Sequence, residues 1–292
     1  MHIYVCVKQA PDSSSVYIDP ISEQVDSERF VQILNPADAC AIEAAVRLKE
    51  QLGGSITAIT LGPGDAEGAL RAALAIGADR AVRLWHSSAD TWGAFTVAAA
   101  LAAYIQSGQQ VTPDLVLCGD ASSDWASGIV GPALAQYLDL PQITGVAQLR
   151  IVQERDPLKL QLARRLERGY REVLEARLPL LLTVIADLNE PRYPSLPAHL
   201  SALRASIPVV DVQSLMNRAW QDEAREEALL EVHTPRPRPR RIAAPDSRHS
   251  AYQRIGEIIS GGTTGRKARL VEGAPEELAR TLVDFLRERG FV

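Results

Sequence analysis

The chain has 292 residues, of which 46% are hydrophobic and 23% charged, and its formal net charge is −5. These values are typical of a globular protein in water and give no reason to expect a nucleic-acid partner. No apolar run approaches the roughly 20 residues of a membrane-spanning helix, and the first residues, MHIYVCVKQAPD, lack the pattern of a secretory leader. Three widely spaced cysteines match no metal-site spacing, so we expect a cytoplasmic protein with reduced thiols.

The first half of the chain alternates short apolar runs with helical patterns. Asn35-Pro36 is a favourable helix start and Gly53-Gly54 a favourable stop. This alternation predicts an α/β fold with a mostly parallel twisted sheet and helices on both faces. The predicted strands are 3–7, 55–61, 81–84 and 115–118, and the predicted helices are 36–52, 66–76, 91–107 and 126–138.

The pattern changes between about residues 145 and 185. Residues 148–152 and 158–162 alternate apolar and polar side chains, and 172–176 is a weaker strand of the same kind. Polar turns separate these three runs, which predicts an antiparallel meander appended to the parallel sheet. A fully apolar run, 178–185, then predicts one further buried strand.

A proline-rich loop, residues 186–197, follows this strand. Its three prolines prevent both a continuing helix and a continuing strand ladder. Between them lie Arg192, Tyr193 and Leu196, residue types that are enriched where proteins bind one another. Composition alone leaves two readings equally open, a protein-docking loop and a rigid surface connection.

The composition shifts again near residue 219, which predicts a domain over 1–219 and a C-terminal arm over 220–292. Residues 221–231 form a short charged helical pattern, and 233–241 is a linker rich in proline and arginine. A last amphipathic helix is predicted over 275–289. Its apolar face is formed by Leu278, Leu282 and Phe285.

No pattern of catalytic or metal-binding residues stands out, and each histidine is isolated. Four strand-to-helix turns would instead meet beyond the carboxyl ends of the parallel strands, where open α/β sheets bind nucleotides. Taken singly, each is more typical of an ordinary connection. The four turns are 6–8, 35–38, 61–63 and 119–130.

The proline-rich loop closely resembles a signature of the electron transfer flavoprotein beta subunit family. The matching positions are Thr183, Leu188, Asn189, Pro191, Arg192, Tyr193, Leu196 and Pro197. Asn35-Pro36, Gly62-Pro63, Gly119 and the sequence ALAIGAD at 73–79 also agree with the family, so the resemblance extends over about residues 3–207. It implies a fold like that of the adenine nucleotide alpha-hydrolases.

The resemblance also implies a function. The chain would form a heterodimer with an alpha subunit that holds FAD, and would carry electrons from dehydrogenases such as acyl-CoA dehydrogenases. The acceptor would be quinone-linked or ferredoxin-linked, membrane-bound or soluble. Arg192, Tyr193 and Leu196 would dock the dehydrogenase, with Leu196 as the anchor. A pocket for AMP would be lined by Cys6, Asn35, Pro36, Asp38, Leu61, Gly62, Gly119, Ser122, Asp124, Ser127, Gly128, Ile129 and Val130.

The chain departs from the common family pattern at residues 122–130. Gly128, Ile129 and Val130 replace polar side chains that would meet a phosphate, and Trp125 is bulky where a small residue is usual. The sequence CGDxSSD at 118–124 resembles FixA-type subunits. Asp90-Thr91 resembles the electron-bifurcating group, in which a second FAD takes the place of AMP.

Several alternatives stay open at this point. The sequence does not decide between AMP and a second FAD, nor whether electrons from NADH are bifurcated. An acidic residue that faces the partner's flavin in some members falls near Leu166 or Glu167. A stand-alone adenine nucleotide-binding protein of the universal-stress type would show similar turns, but it has no need for the meander, the docking loop and the arm.

Overall fold

A computed structural model describes residues 1–19, 30–107, 113–153, 158–215, 248–259 and 273–288. The chain divides into two compact units, residues 1–234 and 235–292. The expected domain boundary at 219, the charged helix at 221–231 and the linker at 233–241 lie outside the described residues. Among the described residues, no helix is both long and apolar enough to cross a membrane.

The first unit contains eleven strands and five helices in its described part. The strands are β1 His2–Cys6, β2 Gln9–Pro11, β3 Gln32–Leu34, β4 Ser55–Leu61, β5 Arg80–Trp85, β6 Leu115–Gly119, β7 Gln142–Gln153, β8 Lys159–Arg165, β9 Arg171–Arg177, β10 Leu180–Val184 and β11 Val209–Asp211. The helices are α1 Pro36–Leu52, α2 Glu67–Ile76, α3 Ala94–Ser107, α4 Val130–Tyr137 and α5 Leu196–Arg204. In the second unit, the described helices are α6 Ala251–Ile259 and α7 Pro275–Glu288.

Nine strands form one sheet in the order β11-β5-β4-β1-β6-β10-β7-β8-β9. Every neighbouring pair is parallel from β11 to β7, and β8 and β9 then continue the sheet as antiparallel strands. Strands β2 and β3 form a separate antiparallel pair. The predicted mostly parallel sheet with an appended meander is therefore confirmed.

Side chains alternate across the central strand β1, which is why helices cover both faces of the sheet. Ile3 and Val5 belong to the core cluster that includes residues of α1 and α2. Tyr4 and Cys6 belong to the opposite cluster, with residues of α3 and α4. Helices α1 to α4 each bury a stripe rich in alanine, which allows them to lie close to the sheet.

Three predicted boundaries were wrong, and in each case a local backbone feature explains the difference. Helix α4 begins at Val130 rather than 126, because Ala126 and Gly128 have positive φ angles of 50° and 64°. Helix α3 begins at Ala94 rather than 91, because Trp92 is extended. The docking loop ends at Ser195, whose side chain caps α5 by accepting a hydrogen bond from the amide of Ala198.

Candidate functional site

The candidate cofactor site lies at the carboxyl end of β1, where the chain reverses its direction of travel across the sheet. From β1 the chain builds β4 and β5 on one side, and it then returns to place β6 and β10 on the other. In open α/β sheets, ligands bind at such a reversal because the loops leaving the two adjacent strands diverge and open a crevice. Here those loops follow Cys6 and Gly119.

Asp38 joins these two loops. Its carboxylate accepts hydrogen bonds from the backbone amides of Lys8 and Gly119, each at 2.8 Å. The residue is only 5% exposed. Burial raises the pKa of Asp38 to about 7, although the hydrogen bonds from Lys8, Asn35 and Gly119 lower it. A side chain predicted to bind the cofactor therefore fixes the spacing of β1 and β6.

Asn35 has a similar structural role. Its side-chain Nδ2 donates to the carbonyl of Ala121 at 3.1 Å, and its Oδ1 accepts from the amide of Ser123 at 3.2 Å. Although Asn35 is the N-cap residue of α1, its side chain makes no capping hydrogen bond. It is instead buried against the loop that follows β6, and it holds that loop over the start of α1.

Glycine is required at two of the predicted positions by close approach of neighbouring atoms. A Cβ atom at Gly119 would lie 2.8 Å from the Cβ of Ala37 and would also clash with the carboxylate of Asp38. At Gly62 it would lie 2.8 Å from the Cβ of Ala66. Both distances are shorter than van der Waals contact, so the loops could not keep these positions with any larger residue.

The loop after β6, residues 120–129, is fixed at its start and near its middle. The amide of Asp120 donates to the carbonyl of Val184 at 2.8 Å. Further along, the carboxylate of Asp124 lies 2.6 Å from the ammonium of Lys8. Burial raises the pKa of Asp124, but hydrogen bonds from Lys8 and Ser122 outweigh this effect and hold it below its ordinary value. Trp125 extends outward and is 66% exposed.

Backbone groups dominate where this loop enters α4. Ile129 is the N-cap residue and offers no side-chain hydrogen bond to the first turn. Gly128 adopts a positive φ of 64°, while Ser127 is exposed. Because the first amides of a helix lack partners within it, the start of α4 offers donors and a positive dipole end to an anion. Helix α4 therefore begins at Val130, about one turn later than the predicted start at residue 126.

The remaining predicted residues contribute mainly backbone or packing. Cys6 and Cys118 end neighbouring strands, both are buried, and burial raises the pKa of each thiol. Leu61 packs against the α3 and α4 cluster, while Pro36 is exposed at the start of α1. Two surface grooves of about 530 and 460 Å³ lie elsewhere, beside α5 and between α1 and β7.

Lys8 is a site residue for which sequence reasoning gave no side-chain role. Its ammonium pairs with Asp124, which is 116 positions away along the chain. No local spacing connects two such residues. The available signal was indirect, because Lys8 follows β1 and Asp124 follows β6, and parallel neighbours end at the same edge of a sheet.

The proposed docking residues lie far from this edge and differ in exposure. Tyr193 is 99% exposed and Leu196 is 70% exposed. The alternative that Leu196 caps the core under the loop is therefore wrong. Arg192 is engaged within the chain, because its guanidinium pairs with Glu43 and Glu50 on α1.

Comparison with known proteins connects both regions to one family. The electron transfer flavoprotein domain family matches residues 24–215. The electron transfer flavoprotein subunit beta of Thermoanaerobacterium thermosaccharolyticum is 36% identical over 272 residues, which is 93% of this chain and 97% of that relative. This chain belongs to the electron transfer flavoprotein beta subunit family.

Two other relatives agree. Protein FixA of Azorhizobium caulinodans is 39% identical, over 71% of this chain and 74% of that protein. The caffeyl-CoA reductase-Etf complex subunit CarD of Acetobacterium woodii is also 39% identical, over 72% of this chain and 78% of that protein. The family gives the chain an electron-transfer role and an association with flavin, and its beta subunits pair with an alpha subunit.

Proposed function

We propose that this beta subunit forms a heterodimer with an alpha subunit holding FAD, and that its own carboxyl edge binds an adenine nucleotide. That nucleotide is AMP or the adenylate part of a second FAD. The observation that carries the proposal is the double tether of the loop after β6, made by Asp38 to Gly119 and by Asn35 to Ala121 and Ser123. It holds a glycine-containing loop and an uncapped helix start at the reversal point of the sheet.

The residues present fit an adenylate in a particular way. A phosphate is best held near Ser127, Gly128 and Val130 by backbone amides and the positive end of α4. Asn35 and Asp38 act by keeping that loop in place, since their side chains are already used. Cys6, Leu61 and Gly62 border the same edge. When FAD is bound, its flavin supplies the redox chemistry, and this chain supplies binding and orientation.

Residues 120–130 also bear on the identity of the nucleotide. Trp125 is exposed beside the loop, and aromatic rings of this kind can stack on a base or a flavin. In the segment that resembles the bifurcating group, the hydroxyl of Thr91 donates to the carbonyl of Ser88 at 2.9 Å. Both features are compatible with an adenine nucleotide at this edge.

The test is to co-purify the chain with its alpha subunit and to count FAD and AMP after acid extraction. We expect an adenine nucleotide in addition to the FAD held by the alpha subunit. Gly128→Leu should remove it, while Gly128→Ala, which carries the same positive φ strain without the bulk, should retain more. A heterodimer that contains no nucleotide beyond the alpha-subunit FAD would contradict the proposal.

We also propose that the arm, residues 220–292, contacts the alpha subunit. In the second unit, α7 aligns Leu278, Leu282 and Phe285 on one face, and both Leu282 and Phe285 are exposed. Leu282→Asn should therefore weaken heterodimer formation in analytical ultracentrifugation. Arg280→Asn, on the same helix, is the control and should leave it unchanged. Equal behaviour of the two variants would contradict this role for the arm.

The third part of the proposal is electron transfer with docking at Leu196 and Tyr193, from dehydrogenases such as acyl-CoA dehydrogenases to a quinone-linked or ferredoxin-linked acceptor. Its support is the exposure of both side chains on a segment that is tied to α1. A stand-alone binder of the universal-stress type is not carried forward, because the chain covers 97% of an electron transfer flavoprotein beta subunit.

A further inference from the structure

The docking segment, residues 186–204, is held to the protein with very little apolar burial. Ala202 is the one buried side chain of α5. Three leucines on the same helix, Leu196, Leu200 and Leu203, are exposed, as is Tyr193 just before it. A nine-residue helix with one buried side chain is not stable by itself, so polar contacts must hold this one in place.

The first such contact joins Arg192, in the loop before α5, to two carboxylates of α1. Its Nε donates to Glu43 Oε2 at 2.8 Å, and its Nη2 donates to Glu43 Oε1 at 3.2 Å. The same guanidinium reaches Glu50 through Nη1 at 2.6 Å and Nη2 at 3.1 Å. The backbone amide of Arg192 also donates to Glu43, at 3.2 Å. One residue is thus fixed against two positions that lie about two turns apart along α1.

Glu43 makes this contact specific for arginine. The residue is 2% exposed, so its charge depends on close, hydrogen-bonded partners. Burial raises the pKa of Glu43, and hydrogen bonds from Arg192 and Arg47 outweigh that effect and lower it below its ordinary value. A lysine at 192 offers a compact ammonium and could not hold Glu43 and Glu50 in the same planar arrangement.

The second contact is made by Arg71, a residue of α2, to the C-terminal end of the segment. Its Nη1 donates to the carbonyls of Ala202, Leu203 and Ala205 at 2.9, 2.9 and 3.0 Å. These carbonyls lie at the end of α5, where helix carbonyls run out of amide partners. Of the three, Ala202 also accepts from the amide of Ala205, at 3.3 Å. Glu67, on the same helix as Arg71, holds the guanidinium in place at 3.1 Å.

We infer that Arg192 and Arg71 are positioning residues that hold Tyr193, Leu196 and α5 in their binding conformation before a partner dehydrogenase arrives. Arg192 fixes to α1 the residues just before Tyr193, and Arg71 fixes the end of α5 to α2. The residues before Arg192 are held separately, by hydrogen bonds from Asn189 to Cys40 and from Arg47 to Glu190. A segment ordered in advance loses less conformational entropy on binding, which lowers the dissociation constant without any contact from either arginine to the partner. This inference rests on the proposed docking function.

The first measurement is hydrogen exchange of the α5 amides in the intact heterodimer, which needs no dehydrogenase. Arg192→Lys, Glu50→Gln and Arg71→Lys should each speed exchange in residues 193–204 and leave β1 and β6 unchanged. Glu50 is exposed, so its replacement keeps the fold intact. The matched control is Lys49→Gln. Lys49 lies on α1 beside Glu50, and its replacement breaks an ion pair with Asp79 that does not involve the segment.

The second measurement is electron transfer from an acyl-CoA dehydrogenase reduced with its acyl-CoA substrate. Arg192→Lys should raise the KM for the heterodimer about tenfold and leave kcat unchanged, since loosening even one residue is worth about that factor. Leu196→Ala should lose part of its effect in the Arg192→Lys background, because the anchor is then no longer held in place. A role in stability alone would lower the melting temperature and leave both KM and this coupling unaffected.

The outcomes separate the inference from the docking function on which it rests. If exchange in 193–204 is unchanged, or if it rises while KM stays the same and Leu196→Ala still raises KM, the inference is wrong and docking stands. If Leu196→Ala itself leaves KM unchanged, the docking function fails, and the inference fails with it. Faster exchange together with a raised KM and reduced coupling supports both.

Discussion

The cofactor edge, formed by the loops that follow β1 and β6 at their carboxyl ends, and the docking segment are both attached to helix α1. The two regions are built in opposite ways. At the start of α1, Asn35 and Asp38 are buried and bond to backbone of other loops. Further along, Glu43 and Glu50 hold a segment that exposes Tyr193 and Leu196. Asp38 and Glu50 are twelve positions apart, about 18 Å along a helix at 1.5 Å per residue.

The difference shows which kind of change each region tolerates. The cofactor edge is made of backbone held at close range, so added atoms should damage it more than lost side-chain groups. The docking segment is made of exposed side chains on a held backbone, so removal of a side chain should affect function with little effect on folding. The following predictions test this contrast, from the largest expected effect to the smallest.

Adding one carbon to the cofactor edge should have the largest effect. In Gly119→Ala the new Cβ would clash with Asp38 and Ala37, so β6 or α1 must shift. Overpacking of this kind costs about 3 kcal/mol, which is about 6–12 °C in melting temperature for a domain of this size. Gly64→Ala is the control, since its Cβ would meet no atom within 4 Å. Equal melting temperatures for the two variants, measured by calorimetry, would break the comparison.

Removing the exposed anchor should affect transfer without affecting folding. Leu196→Ala should slow electron transfer from the dehydrogenase roughly thirtyfold at low protein concentration, because central apolar anchors contribute about 2 kcal/mol. Its flavin content and melting temperature should stay close to those of the parent, since the side chain is 70% exposed. Val209→Ala, an exposed apolar side chain on β11 outside the segment, serves as the control. A lowered melting temperature with normal transfer would contradict this prediction.

The buried carboxylate should give the cofactor edge a pH dependence opposite in sign to that of the carboxylates that hold the docking segment. Because burial raises the pKa of Asp38 from 3.8 to about 7, the folded chain binds more protons than the unfolded chain between these values. The free energy of unfolding contributed by this group therefore falls as pH rises through that range. Urea titrations from pH 4 to 7 should show this slope in the parent chain and a smaller slope in Asp38→Asn.

Burial also raises the pKa of Asp120, so the difference in slope between the parent chain and Asp38→Asn is what assigns the effect to Asp38. Three other carboxylates titrate in a different window. Glu43, Glu50 and Asp124 have lowered pKa values, so the stability they contribute is lost as pH falls below their ordinary range. Their effect therefore lies at more acidic pH and has the opposite sign. An unchanged slope between pH 4 and 7 in Asp38→Asn would show that Asp38 is not the responsible group.

Removing one hydroxyl from the cofactor edge should have the smallest effect. Ser127→Ala should weaken nucleotide binding by only about 1 kcal/mol, the value of one neutral hydrogen bond, because the remaining contacts come from the backbone. Isothermal calorimetry with AMP on nucleotide-depleted heterodimer measures this directly. A loss of a hundredfold or more would show that side chains, not backbone amides, dominate the site.

Much of the fold follows from local patterns in the sequence. The alternation of strands and helices, the bounds of α1 and β4 and the antiparallel meander were all predicted, because periods of 2 and 3.6 residues are visible within a single element. The family was also recognisable from residues close together in the chain, between Thr183 and Pro197. The positive φ angles of Ala126 and Gly128 had no such signal, so the start of α4 was misplaced.

What the sequence determined by itself was therefore the family and most of the large sheet with its first four helices, while β2, β3, β11 and α5 were not predicted. The tertiary structure decided what their side chains do. Asp38 bonds to Gly119 across 81 positions and Arg192 to Glu43 across 149, and no local pattern encodes a pairing of that range. Both pairings form only when the folded chain brings distant segments together. A carboxylate expected to bind the cofactor bonds to two backbone amides instead, and an arginine expected to dock a partner pairs with two carboxylates of α1.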